Sequence, residues 1–455
     1  MILGIGMSDP FTVGVITICL LLFLIFMGVR VVFAAAIVGL LGLIELRGWG
    51  PAAGIIGTIP HSKSSTYALS VLPMFIFIGF LAFHAGMTQQ LFDAARKWLG
   101  WLPGGLAIAT VFATAGFAAV SGASTATAAV FSRVAIPEML KYGYDRRMAA
   151  GVVASAGTLA TLIPPSAILV IYAIIVEQSV GKLLLAGFLP GIFSAFVYAA
   201  IIVIWAMLKP EQAPSVSGFT WGERMRTIPG ISPIILVVII IMTSIYGGWA
   251  TPTEAGALGA FVVFILALVR GTPLKSIKDS LMESAKLTVM IFSLIWGVLI
   301  FVRFLGFSGI PGAFTEWVVG LDVAPMTIMI CILLAYAVLG MFMDAIGMLL
   351  LTLPVVYPAV IALGFDPIWF GIIAVKMAEI CLITPPIGLN CFVVNGVRPD
   401  IPLGQVFRGV ALFFIADVVT IAALLMFPEI VTWLPNFDFA AWWEGLWAAS
   451  EAVTN

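Results

Sequence analysis

The sequence predicts an all-α polytopic membrane protein built from an inverted repeat, with two re-entrant helical hairpins and two interrupted helices. Three observations support this fold class: the composition, the length of the apolar stretches and a motif that recurs in the two halves of the chain. Of 455 residues, 62% are hydrophobic and 9% are charged, whereas soluble domains carry roughly 25% charged residues. So few charges cannot cover a water-exposed surface of this size, and we therefore treat 1–455 as a single integral membrane unit.

The composition also excludes several classes of protein. The formal net charge is −1 and no basic face for nucleic acid is present. Four Cys lie in apolar stretches without the spacing of metal ligands, and the two His argue against a His-based metal site or a haem. The absence of a Gly-x4-Gly-Lys-Ser/Thr motif disfavours ATP hydrolysis. No Lys or Arg precedes Arg30, so the first apolar stretch is expected to be a retained helix rather than a cleaved signal peptide.

A helix needs about 20 apolar residues to cross the hydrocarbon layer. Stretches of about this length predict spanning helices at 11–28, 31–46, 67–87, 183–208, 230–247, 253–270, 285–305 and 408–427. Two further stretches, 146–177 and 368–395, carry Pro-Pro near their middles, which predicts interrupted helices. Segments 103–137 and 325–358 are bounded by proline and have polar or glycine-rich centres, which predicts hairpins of two short helices that enter and leave by the same face.

These elements divide the chain into four parts. The first inverted repeat is predicted at 67–208, and a linking loop with a scaffold helix follows at 209–252. The second repeat is predicted at 253–427. The remaining 428–455 is predicted to be an external interfacial tail, because its Trp residues suit the bilayer surface.

Basic residues assign the loops to two sides, because cytoplasmic loops are enriched in Lys and Arg. The segments placed inside each carry two or more basic residues: 96–101, 141–147, 209–226, 271–286 and 396–408. The segments 310–325, 358–367 and 428–455 have none and are placed outside. Arg47 and Lys63 also fall outside and count against this scheme. Both termini are predicted to lie outside the cytoplasm.

The internal repeat is the most informative feature of the sequence. Residues 137–165 and 358–386 share the pattern Pro-x5-Gly-aromatic-Asp-x18-Pro-Pro at a constant offset of 221 residues. Three basic residues surround Gly143–Asp145 in the first copy, whereas none lies between Arg303 and Lys376 around Gly364–Asp366 in the second. The two copies are therefore expected to point in opposite directions. Inverted repeats with interrupted helices are typical of secondary transporters, whose sites lie near the midplane at the breaks. Freed backbone carbonyls at a break need compensation, and cations provide it.

The first break is surrounded by hydroxyl groups without a carboxylate. Such hard neutral oxygens suit Na⁺, and the candidate ligands are Ser121, Gly122, Ser124, Thr125, Thr161 and Pro164. The alternative is that these small residues only permit close helix packing. Polar residues around both breaks are candidates for the substrate cavity, namely Ser124, Thr127, Ser166, Asn390 and Asn395.

The second break differs because it has an ionisable residue, Asp344, at the centre of an apolar hairpin. Its equivalent in the first repeat is Ala123. Intramembrane carboxylates are costly and usually functional, and the candidate cation ligands are Gly340, Asp344, Thr384 and Pro385. The alternative is a helix-capping role for Asp344. An intramembrane enzyme is disfavoured because no second carboxylate accompanies Asp344 at catalytic spacing.

Two other charged features have simpler explanations. Lys376 and Glu379 stand one helical turn apart, where they can pair with each other. Arg303, near a helix end, is better explained by snorkelling to the bilayer surface than by a contact with substrate.

Several stretches are similar to a known family. The run GFAAVSGASTATAA, the stretch Pro-Glu-Met-Leu-x-x-Gly-Tyr-Asp and the run LIPPSAILVIY lie between Gly116 and Tyr172. Together with GMFMDAIGMLLLTLPVVYP and TPPIGLN in the second half, they resemble the large membrane subunit of TRAP transporters, the tripartite ATP-independent periplasmic transporters. The family usually has a second Ser where this chain has Ala123.

The resemblance implies a sodium-driven importer of organic acids in a bacterial or archaeal cytoplasmic membrane. It implies an elevator-type motion of the hairpins and interrupted helices, with Na⁺ at Ser121–Thr125 facing Thr161–Pro165 and at Gly340–Asp344 facing Thr384–Pro386. The implied partners are a small membrane subunit, expected to be a separate polypeptide, and an extracytoplasmic binding protein. C4-dicarboxylates, sialic acids, keto acids and sulfonates all remain open as substrates. A stand-alone ion-coupled carboxylate carrier is the alternative function.

Overall fold

The computed structural model describes residues 9–437, and over this range the chain is all helical. The first ten helices are α1 (Pro10–Phe26), α2 (Val31–Arg47), α3 (Trp49–Ser64), α4 (Val71–His84), α5 (Met87–Leu99), α6 (Gly105–Ser121), α7 (Ser124–Lys141), α8 (Arg146–Thr158), α9 (Ala167–Ile175) and α10 (Val180–Leu208). They are followed by α11 (Trp221–Met225), α12 (Ile228–Tyr246), α13 (Pro252–Val269), α14 (Leu274–Ser308), α15 (Ile310–Val319), α16 (Pro325–Gly340), α17 (Ala345–Ala362), α18 (Pro367–Cys381), α19 (Leu389–Val397), α20 (Leu403–Met426) and α21 (Glu429–Thr432).

Each predicted full-length span coincides with a helix. Within the described range, seven helical segments are long and apolar enough to cross a membrane. Large apolar side chains such as Phe196 and Ile239 are more than half exposed on them. A surface of this kind is stable against acyl chains, which confirms the polytopic membrane class.

The span predicted at 285–305 is part of a much longer helix. α14 has 35 residues and is therefore about 52 Å long, against a hydrocarbon core of about 30 Å. Its first turns carry Lys275 and Lys278. No Pro or Gly interrupts the chain between Leu274 and Trp296, so the helix continues beyond the apolar part.

Five connecting helices, α3, α5, α11, α15 and α21, were not among the predicted elements. α5 is amphipathic, with Met87, Phe92 and Ala94 buried and Gln89 and Gln90 exposed. A search for apolar windows of about 20 residues does not detect a helix of this kind, because only one of its faces is apolar.

Both predicted hairpins and both interrupted helices are present. α6 and α7 meet at Gly122–Ala123, and α16 and α17 meet at 341–344. Each hairpin runs about one turn past its predicted end, because α7 continues through Pro137 and α17 through Pro358. The chain between α8 and α9, and again between α18 and α19, leaves the helical path around a Pro-Pro pair with a cis peptide bond.

The structural repeat is longer than the sequence motif. At the same offset of 221 residues, α1 and α2 correspond to α12 and α13, α3 and α4 to the two halves of α14, and α5 to α15. The predicted boundaries at 67 and 253 left out α1–α3 and α12. One helix of each repeat packs against the other repeat: α19 packs on α7 and α8, while α9 packs on α17 and α18.

Candidate functional site

The tip of the first hairpin rests on the first helix break. Gly122 ends α6 in the left-handed conformation, with φ of 59°. Its carbonyl oxygen accepts a hydrogen bond from the backbone N–H of Ala167 at 3.3 Å. A Cβ added to Gly122 would lie 2.4 Å from the carbonyl oxygen of Pro165. Only glycine allows this approach, which brings the tip and the break into backbone contact.

The hydroxyl groups of the tip are buried and face one another. Ser121 Oγ and Thr127 Oγ1 are 2.8 Å apart, and Thr127 Oγ1 also donates to the carbonyl oxygen of Ala123 at 2.8 Å. Thr125 is half-buried in the first turn of α7. Ser121 and Thr127 therefore form a polar pair at the tip of the first hairpin.

At the break opposite this tip, nearby side-chain hydroxyls donate hydrogen bonds to backbone carbonyl oxygens. Thr161 Oγ1 donates to the carbonyl oxygen of Thr158 at 2.8 Å, and Ser166 Oγ donates to that of Thr161 at 2.5 Å. Ser166 also caps α9 by accepting from the N–H of Leu169. Residues 162–166, including Pro164, are buried. Several carbonyl and hydroxyl oxygens thus lie together, and one carboxylate, that of Glu379, accepts from the Thr158 hydroxyl at 2.6 Å. Such a set of mainly neutral oxygens suits a monovalent hard cation.

Asn390 connects the first hairpin to the second repeat. It follows the second break, at the start of α19, and its Nδ2 donates to Ser124 Oγ at 2.9 Å and to the carbonyl oxygen of Ala154 at 3.0 Å. Its Oδ1 is buried and has no hydrogen-bond partner within 9–437. The structure therefore brings two predicted cavity residues, Ser124 and Asn390, into direct contact across 266 residues of sequence.

A small cavity lies beside the same tip, between α4 and the first hairpin. Its volume is about 10 Å³, and Phe80, Ser121, Ala123 and Ala126 are among the residues that line it. This is room for about one water molecule and not for an organic anion.

The second hairpin tip has a different arrangement. Gly340 packs against Cys381, where an added Cβ would overlap the sulfur. Asp344 is the N-cap of α17 and accepts from the N–H of Gly347 at 3.0 Å. Thr384 lies in the break after α18, where its Oγ1 donates to the carbonyl oxygen of Ile380 in the last turn of that helix, and Pro385 is exposed. Among the described residues, no hydrogen bond or ion pair joins Asp344 to Thr384.

Asn395 does not join the cluster around Ser124 and Asn390. Its Nδ2 donates to the carbonyl oxygen of Ile401, so it fixes the loop after α19. Arg303 is exposed on α14, in keeping with a side chain that reaches the bilayer surface.

Between the two breaks lies a buried ionic network that the sequence predicted only in part. Lys376 Nζ lies 3.1 Å from Glu379 Oε2, as the spacing predicted, and 2.7 Å from Asp417 Oδ1. Tyr198 donates to the same Asp417 oxygen at 2.7 Å. All four side chains are fully buried. The sequence feature that could have indicated this network is Asp417, a single carboxylate within the apolar run of α20. A carboxylate in a membrane is costly unless it is paired.

A model of the family described as the tripartite ATP-independent periplasmic transporter, DctM component, matches residues 18–430. The chain belongs to this family. The TRAP large permease DctM of Pseudomonas aeruginosa, which carries C4-dicarboxylate in its name, is 37% identical over 381 residues, covering 83% of this chain and 86% of that protein. Its counterpart from Vibrio cholerae is 34% identical over 449 residues, covering 91% and 97%.

DctM proteins are permease subunits of transporters and not enzymes. At 13% identity, the solved YdaH transporter of Alcanivorax borkumensis aligns over 82% of this chain and 88% of its own, with a TM-score of 0.53. This likeness supports the all-helical transporter fold alone. In the described range, no group of three or more His, Cys, Asp or Glu side chains is placed to hold a metal ion.

Proposed function

We propose that this DctM chain is the permease subunit of a sodium-coupled importer of a small organic acid anion. The observation that supports the proposal is the close approach of Gly122 to Pro165, which brings the tip of the first hairpin against the first break. We propose that the oxygens of Ser121, Gly122, Ser124, Thr125, Thr161 and Pro164 bind Na⁺ there. Neutral oxygens in an apolar surrounding bind Na⁺ in preference to softer metal ions. Hairpin closure and Na⁺ binding would then stabilise the same conformation, which is the basis of coupling.

The direct test is uptake into proteoliposomes that contain this chain, the small membrane subunit and the binding protein. An inward sodium gradient is expected to drive uptake, and removal of either partner is expected to stop it. Uptake by the isolated chain under a proton gradient alone would contradict the proposal. Sodium-driven uptake without the binding protein would instead identify a stand-alone carrier.

We propose a second cation site at Asp344, where the carboxylate has two distinguishable roles. As a helix cap, Asp344 needs only an acceptor for the N–H of Gly347, and Asn supplies one. As a cation ligand, it contributes a negative charge that Asn lacks. Asp344→Asn is therefore expected to insert and fold normally while its apparent sodium affinity falls.

A matched control exists in the same repeat. Asp366 caps α18 through the N–H groups of Ile368 and Trp369, and Asp366→Asn is expected to leave the sodium dependence unchanged. Normal sodium dependence in Asp344→Asn would reduce Asp344 to its capping role.

We propose that the hairpins and interrupted helices move together as the elevator of the transporter. The support is their mutual packing: α7 and α8 contact α19, while α9 contacts α17 and α18. Phe80 of α4 and Ala126 of α7 line one small cavity. A short thiol-reactive bridge between Phe80→Cys and Ala126→Cys, on a background without Cys19 and Cys331, is expected to stop uptake. Full activity of the bridged protein would contradict movement between these helices.

The substrate class and the orientation are proposals as well. The similarity to permeases with C4-dicarboxylate in their names favours a small dicarboxylate, supplied by the binding protein. Both termini are proposed to face outward in a bacterial cytoplasmic membrane. A membrane-impermeant thiol reagent is expected to label Asp322→Cys, and not Ser217→Cys, on intact cells. The reverse labelling would invert the orientation.

A further inference from the structure

A larger, polar cavity shares no lining residue with the small cavity at the first hairpin tip. It has a volume of about 580 Å³ and is bounded by α5, the start of α12 and the end of α13. Its polar lining consists of Gln90, Asp93, Lys97, Arg226, Thr227 and Arg270. Three basic side chains from three separate elements therefore converge on one opening.

The acidic residue of this cavity is already engaged outside it. Asp93 pairs with Arg96 at 3.4 Å, and Arg96 also pairs with Glu138 at 3.0 Å. Glu223, in the nearby helix α11, caps that helix at Thr220 and also interacts electrostatically with Lys97 and Arg226. Its single negative charge offsets only part of the charge of Lys97, Arg226 and Arg270, so positive charge is in excess at the opening and attracts anions.

Arg270 has an unused donor. Its Nη2 donates to the carbonyl oxygen of Gly230 at 3.4 Å, while its buried Nη1 has no partner among the described residues. A buried donor without an acceptor is costly. A guanidinium is well matched to an acceptor with several oxygens, such as a phosphate group.

The cavity lies at the level of the bilayer surface. α12 begins and α13 ends beside it, and both belong to candidate membrane spans. Trp98 donates to Thr227 and packs edge-to-face on Trp221, which is 66% exposed. Aromatic residues of this kind mark the membrane–water interface. The segments 96–101 and 209–226 are those that the distribution of basic residues placed on the cytoplasmic side.

We propose that the cavity of Lys97, Arg226 and Arg270 binds the phosphate of an anionic phospholipid from the inner leaflet. Phospholipid phosphates lie at this depth, and basic pockets between helix ends recognise them. The bound lipid would link α5 of the first repeat to α12 and α13 of the second.

The test measures lipid binding to the purified protein in neutral detergent, by thermal unfolding and native mass spectrometry. Phosphatidylglycerol is expected to raise the unfolding temperature more than phosphatidylcholine does. Lys97→Gln combined with Arg270→Gln is expected to weaken phosphatidylglycerol binding roughly thirtyfold, because each basic residue at an anionic lipid surface strengthens binding by about fivefold. Lys278→Gln, an exposed basic residue outside the lining, is expected to have no effect.

The other outcomes are equally decisive. Equal stabilisation by the two lipids, or unchanged binding in the double variant, would overturn the proposal. Stabilisation by inorganic phosphate that phosphatidylglycerol does not increase would assign the cavity to a soluble phosphate. If the double variant does not fold, Lys97→Gln and Arg270→Lys replace it, and the proposal requires weaker phosphatidylglycerol binding in both.

Discussion

Thr158 and Glu379 occupy equivalent positions in the two repeats, 221 residues apart, and the Thr158 hydroxyl donates a 2.6 Å hydrogen bond to Glu379 Oε1. Two equivalent residues can touch only close to the axis that relates the repeats. The buried network of Lys376, Glu379 and Asp417 is therefore central in the molecule. It lies between the two helix breaks, because Thr158 ends α8 and Glu379 is in the last turn of α18.

Removal of Lys376 is predicted to destabilise the protein. Lys376→Met leaves Glu379 and Asp417 together in a fully buried site without their cation. Loss of one partner from a buried charge cluster typically costs about 3–5 kcal/mol. We expect a clear fall in the thermal unfolding temperature of the purified protein.

Two variants serve as comparisons for Lys376→Met. Lys182 is exposed on α10, and Lys182→Met is expected to be neutral. Asp417→Asn is expected to cost less than Lys376→Met, because the ion pair between Lys376 and Glu379 remains. Equal unfolding temperatures for Lys376→Met and the unaltered protein would show that the network does not contribute to stability.

The spans, the hairpins and the breaks could be predicted because they depend on local properties of the chain. Apolar length fixes a spanning helix, and Pro-Pro or Gly at a fixed place interrupts it. The capping role of Asp344 was also visible as an alternative, because it involves only the N–H of Gly347, three residues away.

The contacts that assemble the site could not be predicted in this way. Tyr198 meets Asp417 across 219 residues, and Asn390 meets Ser124 across 266. Such pairs depend on how whole helices pack, and no local sequence pattern specifies that packing. The charge of Asp417 within α20 showed that a partner was needed without identifying it.

The approach of the first hairpin to its break is predicted to control sodium affinity. Gly122→Ala introduces a left-handed alanine and a contact with the carbonyl oxygen of Pro165 that the backbone cannot accept. We expect the sodium concentration for half-maximal uptake to rise severalfold, as measured in proteoliposomes.

Gly143→Ala is a control that separates the effect of backbone strain from the effect of the contact with Pro165. Its φ of 83° is also left-handed, but nothing lies within 4 Å of an added Cβ. Gly143→Ala therefore carries only the conformational cost of roughly 1–2 kcal/mol and is expected to keep its sodium dependence. If both variants shift the sodium dependence equally, hairpin contact is not the cause.

The hydrogen bond between Asn390 and Ser124 is predicted to couple the two repeats energetically. Asn390→Ala removes two buried hydrogen bonds and leaves the carbonyl oxygen of Ala154 without this donor, at a cost of about 1–3 kcal/mol. In a double-mutant cycle with Ser124→Ala, we expect unfolding free energies that depart from additivity by about 1 kcal/mol. Ser132 is buried in α7, the helix of Ser124, and its hydroxyl donates to the carbonyl oxygen of Ala128. The effect of Ser132→Ala on the unfolding free energy is therefore expected to be additive with that of Asn390→Ala. Additivity in both cycles would contradict the coupling.

Finally, the crossing of α8 and α20 is predicted to require glycine on both helices. Gly151 and Gly409 face each other, and a Cβ on Gly409 would lie 2.0 Å from the carbonyl oxygen of Arg147. Backbone atoms cannot yield as a flexible side chain can, so Gly409→Ala must separate the helices at an expected cost of about 1–3 kcal/mol. Gly404 lies in the same helix with nothing within 4 Å of an added Cβ, and Gly404→Ala is expected to be neutral or slightly stabilising. Thermal unfolding of both variants checks the prediction, which fails if Gly409→Ala is as stable as Gly404→Ala.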